Sequence, residues 1–226
     1  MSAEHSVKDF DAAVTERRSI RGFKSEPVSR DVLDHIFGLA NLAPSNCNTQ
    51  PWHTIVVSGA RRDALRDQLV ESIQRGQISL DYPFDGKYDG VWKDRQYDAA
   101  YQLYHAMGIA RDDKAGRNEC FMRNYQLFDA PHVAFLFLPD WSGMREACDL
   151  GMYAQTLMLA MTAHGLASCP QTSLGFFADL IRSEFGVDAS WKLMFGLSFG
   201  YEDTEHDANK CRVGRASMVD MVRFVD

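Results

Sequence analysis

No stretch of the sequence approaches the roughly 18 unbroken apolar residues that suggest a membrane span. Its start, Met1-Ser2-Ala3-Glu4-His5-Ser6, lacks the basic residues and apolar run of a secretory signal, so the chain is expected to remain in the cytoplasm. Positive charge is scarce: 24 Lys and Arg stand against 31 Asp and Glu, a net charge of −7. A nucleic-acid binder usually presents a basic face, and this balance argues against one. The five cysteines, Cys47, Cys120, Cys148, Cys169 and Cys211, are odd in number and form neither C-x-x-C nor a zinc-site spacing with histidine. They are expected to be free thiols in a reducing compartment.

The common catalytic signatures are missing as well. Neither G-x-G-x-x-G nor G-x-x-x-x-G-K-[ST] occurs, so there is no familiar glycine-rich phosphate cradle. G-x-S-x-G and H-E-x-x-H are absent, which leaves a hydrolase or a metalloprotease without an anchor. The seven histidines are spread singly, and a lone histidine is more often packed or solvated than catalytic.

What is present is an ordinary globular composition, 46% hydrophobic and 24% charged over 226 residues, enough for one domain spanning 1–226. Helical periodicity predicts helices over Phe10–Arg17, over the run Val32, Leu33, Ile36, Phe37, Ala40 capped by the Ser29 hydroxyl, and over Ala60–Gln74. Apolar runs predict strands at Trp52–Val57, Val133–Leu138 and Lys192–Phe199, and the tail Met218–Val225 alternates like a last strand. Glu146–His164 and Ser173–Phe185 read as helices. Residues from about 75 to 128 differ: an irregular stretch at Asp81–Gly86, then helical runs at Asp98–Ala110 and Asn118–Phe128, rich in aromatics. This region reads as an insertion or lid. Helices dominate and the strands are apolar on both faces, which predicts an α+β fold, one buried mixed sheet covered by helices.

Two basic clusters stand out in this acidic chain: Arg17-Arg18-Ser19-Ile20-Arg21 and Lys210-Cys211-Arg212-Val213-Gly214-Arg215. Arginine's planar fork grips phosphate bidentately and a serine hydroxyl adds a donor, so together they suit one phosphate group. Taken alone, Arg17 and Arg18 are also what offsets the negative end of a helix. A third segment, Pro44-Ser45-Asn46-Cys47-Asn48-Thr49-Gln50-Pro51-Trp52, offers donors and acceptors suited to a heterocycle; it is also an elaborate helix stop. The fourth, Ser168-Cys169-Pro170-Gln171-Thr172-Ser173, reads as a turn entering a helix, whose first N–H groups favour negative charge.

In this order and spacing the segments resemble a known family. Arg17-Arg18-Ser19-Ile20-Arg21 resembles the R-[RH]-S-x-[RK] signature of FMN-dependent nitroreductases, and Pro44 to Trp52 is similar to their P-S-x-x-N-x-Q-P-W. Cys169-Pro170-Gln171 and Asn209-x-x-Arg212-x-x-Arg215 also match. The resemblance implies a homodimer with FMN at the subunit interface. Arg17, Ser19 and Arg215 would hold the phosphate, with Arg18 and Arg212 nearby, and Arg21 would face the pyrimidine end of the ring. Pro44, Ser45, Asn46 and Asn48 would reach in from the partner chain. N–H groups around Pro170, Gln171, Thr172 and Ser173 would point at N5 and O4, and Asn124 would be a further ring contact. Val213 departs from relatives that carry lysine near the phosphate.

The activity implied is reduction of a small aromatic substrate, foremost a nitroaromatic, with electrons from NADPH or NADH in ping-pong order. A fixed cation at Arg21 would stabilise charge on the reduced ring, and the cofactor supplies chemistry that no side chain here offers. Tyr82, Phe84, Trp92, Tyr97, Tyr101, Tyr104 and Phe121 would wall the substrate or merely pack the lid on the core. A reductive dehalogenase, an enone reductase, a flavin-degrading enzyme, or a flavin carrier without turnover would carry the same motifs.

Overall fold

The run His132–Pro139 is apolar almost throughout, and only a strand covered on both faces can bury such a run. The computed structural model, which describes residues 7–84 and 86–226, places it at the centre of a sheet. The strands are β1 (His53–Ser58), β2 (His132–Pro139), β3 (Ala167–Gln171) and β4 (Trp191–Gly200), in the order β1-β2-β4-β3. Around them lie α1 (Phe10–Glu16), α2 (Arg30–Ala40), α3 (Gly59–Gln74), α4 (Gly90–Ala106), α5 (Lys114–Met122), α6 (Met144–Ala163), α7 (Ala178–Phe185) and α8 (Met218–Met221).

Alternation along β2 divides the core. Ala134, Leu136 and Leu138 face Ile36 and Ala40 of α2 and Leu150, Leu157 and Met161 of α6. Val133, Phe135 and Phe137 face Leu65 and Leu69 of α3 and Ile181 of α7. The period of two sends neighbours to opposite faces, so both faces of one strand are buried at once. The helix-covered α+β architecture is therefore as expected, but the sheet is antiparallel rather than mixed. Every strand pair is antiparallel. Parallel pairing appears as isolated bridges, Ser19 beside Ser168 and Ser79 beside Phe177.

Several expectations need correction. Residues 167–171 form strand β3 rather than a turn; Pro170 suggested a break, but β3 lies at the sheet edge, where proline is tolerated. The helix expected over Ser173–Phe185 divides into a 3₁₀ segment, Thr172–Phe176, and α7. The division falls where Gly175 packs on β4, since a Cβ there would lie 2.7 Å from the Met194 carbonyl oxygen. The tail is the short helix α8, not a strand, because within one chain no strand among the described residues lies beside it. Ser29 occupies the N-cap of α2, but its hydroxyl makes no capping bond. Helix α4 begins earlier than expected; it buries no residue, so no apolar period marks its first turns. Helix α5 ends at Met122, and Leu127, Phe128 and Asp129 turn left-handed at φ 58, 52 and 64°. Burial of Leu127 and Phe128 wins over helical continuation.

Met1–Ser6, on which the secretion argument rests, and Asp85 in the irregular stretch lie outside the described residues. Among the described residues no helix is long and apolar enough to cross a membrane. The five cysteines are all free thiols.

Candidate functional site

The two basic clusters, far apart in sequence, meet through one asparagine. Helix α1 ends at Glu16 with Arg17 as its C-cap, and the chain then runs along the edge of β3, where Ile20 N–H donates to the Ser168 carbonyl at 3.0 Å. Buried Asn209 accepts the Arg21 N–H on Oδ1 at 2.7 Å. Its Nδ2 donates to the carbonyls of Gly22 and Asp203, each at 2.8 Å. All the polar atoms of this amide side chain point at backbone, so it works as a strap between residues 21–22 and the C-terminal segment. Gly22 permits the approach: a Cβ there would lie 2.3 Å from the His206 ring.

The strap gathers cations. Lys8, Arg17, Arg18, Arg212, Val213 and Arg215 line a cleft of about 860 Å³. Burial, and then the charge of Arg215, lower the pKa of Arg17, as expected when like charges are held together without an intervening anion. Their readiness differs. Arg18 is taken by Glu202, at 2.6 and 3.2 Å through two nitrogens. Arg212 donates to the carbonyls of Asn209 and Cys211 at 2.8 and 2.9 Å. Among the described residues, exposed Arg215 reaches only the nearby carbonyls of Val213 and Gly214, so Arg17 and Arg215 carry the least-compensated charge of the group. Ser19 hydrogen-bonds the buried Cys169 thiol, whose pKa is raised by burial against the opposing pull of Arg21. Arg21 Nη1 donates to the Ser19 carbonyl at 3.3 Å. A wider cleft of about 990 Å³ opens beside β1 near Trp52 and His132 and holds neither basic cluster.

A second group assembles where β3 ends. Gln171 Nε2 donates to the Asn124 carbonyl at 2.8 Å, and its Oε1 accepts from the Ser198 hydroxyl at 2.5 Å. Ser173 Oγ lies 3.4 Å from Asn124 Oδ1. The Gln171 side chain is thus buried and committed within the protein, leaving Pro170 and Thr172 exposed beside it. Pro170 has no N–H to offer, so any donors in this run come from Gln171, Thr172 and Ser173. The Arg123 guanidinium joins the two groups, donating to the Arg21 carbonyl at 3.1 Å.

The segment from Pro44 to Gln50 stands apart from both groups. Pro44, Asn46 and Asn48 are exposed and Ser45 is half-buried. Its amides are paired partly within the segment, with Gln50 N–H donating to Ser45 Oγ at 2.9 Å, as a helix stop would do. The remainder is held from α6: both oxygens of buried Asp149 accept the Asn46 N–H at 3.1 Å. Cys47, Asn48 and Gln50 have φ of 51, 56 and 47°, a costly conformation for side chains other than glycine.

Sequence reasoning missed Asp149, Glu202 and Arg123. Asp149 had a usable signal, an acid beyond the first turn of the apolar helix α6; the other two become visible only through their distant partners. The aromatics of residues 75–128 divide. Phe84 packs on Phe176 and Phe121 on Tyr125, whereas Trp92, Tyr97 and Tyr101 on α4 are 64, 61 and 63% exposed and do not pack on the core.

A helix-covered antiparallel sheet with an arginine cleft strapped to one edge defines the class: the chain belongs to the Nitroreductase family, whose model matches residues 14–201. It is 46% identical over 209 residues to nitroreductase NfnB of Mycolicibacterium smegmatis, covering 92% of this chain and 89% of that protein. It is 35% identical over 222 residues to a 4-nitrobenzoate reductase of Pseudomonas putida, covering 96% of each. Among solved structures it is similar to the FMN-dependent nitroreductase NfnB from Mycobacterium smegmatis in complex with NADPH. The TM-score is 0.92 at 44% identity, over 96% of this chain and 97% of that one.

Proposed function

We propose that the protein binds one FMN per chain at a site shared between two copies of itself and reduces nitroaromatic compounds with electrons from NADPH or NADH, in ping-pong order. The observation that carries this reading is the cleft in which Asn209 brings Arg17 and Arg215 together: its Glu16 and Glu202 are held by Lys8 and Arg18, and among the described residues neither Arg17 nor Arg215 has an acidic partner. Donors of that kind fit a phosphate monoester, and the neighbouring Asn124, Gln171 and Ser173 group fits a ring that both donates and accepts. The M. smegmatis relative is FMN-dependent and was crystallised with NADPH, which supports the same cofactors here.

FMN, when bound, supplies the two-electron chemistry. Arg17, Ser19 and Arg215 bind the phosphate, flanked by Arg212, while Arg18 serves mainly to hold Glu202. Arg21 sets positive charge at the pyrimidine end of the ring, favouring the form with more electrons. Main-chain N–H groups of Gln171, Thr172 and Ser173, with Asn124, orient the ring. Pro44, Ser45, Asn46 and Asn48 serve the cofactor of the partner copy. Residues 75–128 act as a lid on a single domain, with Trp92, Tyr97 and Tyr101 available to an aromatic substrate.

The dimer rests on the resemblance, and exposed apolar residues such as Phe10, Leu42 and Met144, 71, 79 and 85% exposed, are surface that a second copy would cover. Five free thiols support a reducing, cytoplasmic compartment.

The test is an absorbance spectrum of the purified protein titrated with FMN, followed by anaerobic addition of NADPH and then a nitroarene. The expected course is uptake of about one FMN per chain, bleaching, and recovery. Protein that takes up no FMN would refute the reading. Bleaching without recovery on any nitroarene, but with recovery on a halogenated or enone acceptor, would move it to another acceptor. No bleaching by either nicotinamide cofactor would make it a flavin carrier.

A further inference from the structure

Arg123 stands between the two halves of the site and is not one of the residues that hold the phosphate or the ring. It follows α5 as the C-cap, with a side chain 19% exposed. One nitrogen, Nη2, reaches both the Arg21 carbonyl and the Asp129 carboxylate, each at 3.1 Å. Its Nε is buried and has no partner among the described residues. The next residue is Asn124, which receives Gln171 and Ser173. The turn that closes on Arg123 is strained: Leu127, Phe128 and Asp129 are consecutively left-handed, and Phe128 N–H donates to the Arg123 carbonyl at 3.0 Å. Consecutive left-handed residues without glycine persist only where the surroundings over-determine them, and they cluster at functional sites. The charge is felt nearby: after burial, Arg123 is the next cause lowering the pKa of His206, and with Arg21 it opposes the rise that burial imposes on Cys120.

We propose that Arg123 is a positioning residue: it fixes the main chain of Arg21 relative to Asn124, and its charge, met through one shared nitrogen by an Asp129 carboxylate that is 60% exposed and so only partly offset, adds to the positive field at that end, so that reduced FMN is held more tightly than oxidised FMN. The proposal rests on the FMN reading above. A merely structural arginine would affect both redox forms alike, whereas a charge acts on their difference.

The experiment measures, for wild type, Arg123→Met and Arg123→Lys, the dissociation constant of oxidised FMN and the midpoint potential of the bound cofactor against a reference dye. With Arg123→Met, oxidised FMN binding should change within about threefold. The preference for the reduced form should fall about tenfold, which for a two-electron couple is about 30 mV toward negative potential. Arg123→Lys should recover most of the potential, because it restores the charge. If Arg123→Met does not fold, Asp129→Asn decides: it removes the counter-charge and should shift the potential toward positive values. Wild type that binds no FMN would overturn the FMN reading and this proposal together. Wild type that binds FMN, with potentials unchanged in the folded variants, would overturn this proposal alone.

Discussion

Replacing His132 by glutamine should flatten the acid side of the stability profile. His132 is 3% exposed at the start of β2, with its ring stacked on Phe199 at 5.2 Å. Val28 N–H donates to Nε2 at 2.9 Å, so the proton of the neutral ring sits on Nδ1 and faces Ser58 Oγ at 2.5 Å. Burial first, and then the charge of Arg62, push its pKa down to about 4. The unfolded chain has an ordinary histidine near ~6.5. Below that value the unfolded state takes up a proton that the folded state refuses until about pH 4. The stabilisation is therefore complete above ~6.5 and is lost as pH falls toward about 4. Between about pH 7.5 and about pH 4.5 the loss is roughly 2.5 kcal/mol. His164 and His206 are also lowered by burial and act in the same direction, so the test is the difference between variant and wild type. A glutamine amide oxygen can still accept from Val28 N–H but does not titrate. It should cost about 1–2 kcal/mol near neutral pH through lost ring packing. Urea unfolding followed by tryptophan fluorescence, at one protein concentration and several pH values, measures both. Equal pH slopes for wild type and His132→Gln would refute the reasoning.

Arg215→Ala should weaken FMN binding by roughly 1.5–3 kcal/mol, the worth of a charge-assisted pair; fluorescence titration measures it, and an unchanged dissociation constant would remove Arg215 from the phosphate. Arg21→Ala should slow bleaching by NADPH in stopped flow, by as much as about 2.7–4 kcal/mol in a dry site, with less loss of FMN than Arg215→Ala. A full-flavin variant reduced at the wild-type rate would show that Arg21 does not face the ring. Light scattering at micromolar concentration should give twice the 25.5 kDa chain mass, and Leu42→Glu on the exposed apolar surface should shift it toward monomer; a flavin-bearing wild-type monomer would contradict the shared site.

Legibility in the sequence followed the range of the interactions. The central strand β2, the long helix α6 and helix α3 were visible because their apolar period is set within the element itself. Strand β3 was not, because Pro170 carries a turn signal that only an edge position neutralises. Helix α4 was found only in part, since a helix that buries nothing has no period to read. Residues 17–21 and 210–215 were recognisable as cation clusters. That Arg18 belongs to Glu202, and so contributes little free charge, depends on a residue 184 positions away.

The sequence by itself determined the supply of groups: two arginine clusters, a polar run before Pro51-Trp52, strands apolar enough to demand cover on both faces, and none of the common acid–base or metal motifs. Composition and local spacing are properties of the chain, and they persist whatever its fold. The tertiary structure decided which of those groups keep their charge and which spend it on one another. Asn209 draws the two clusters together, Asp149 pins the Asn46 segment, and Arg123 ties Arg21 to the Asn124 group. Each link joins residues far apart along the chain, and it forms only when packing of helices on the sheet brings backbone N–H and carbonyl groups to a buried side chain that must be satisfied.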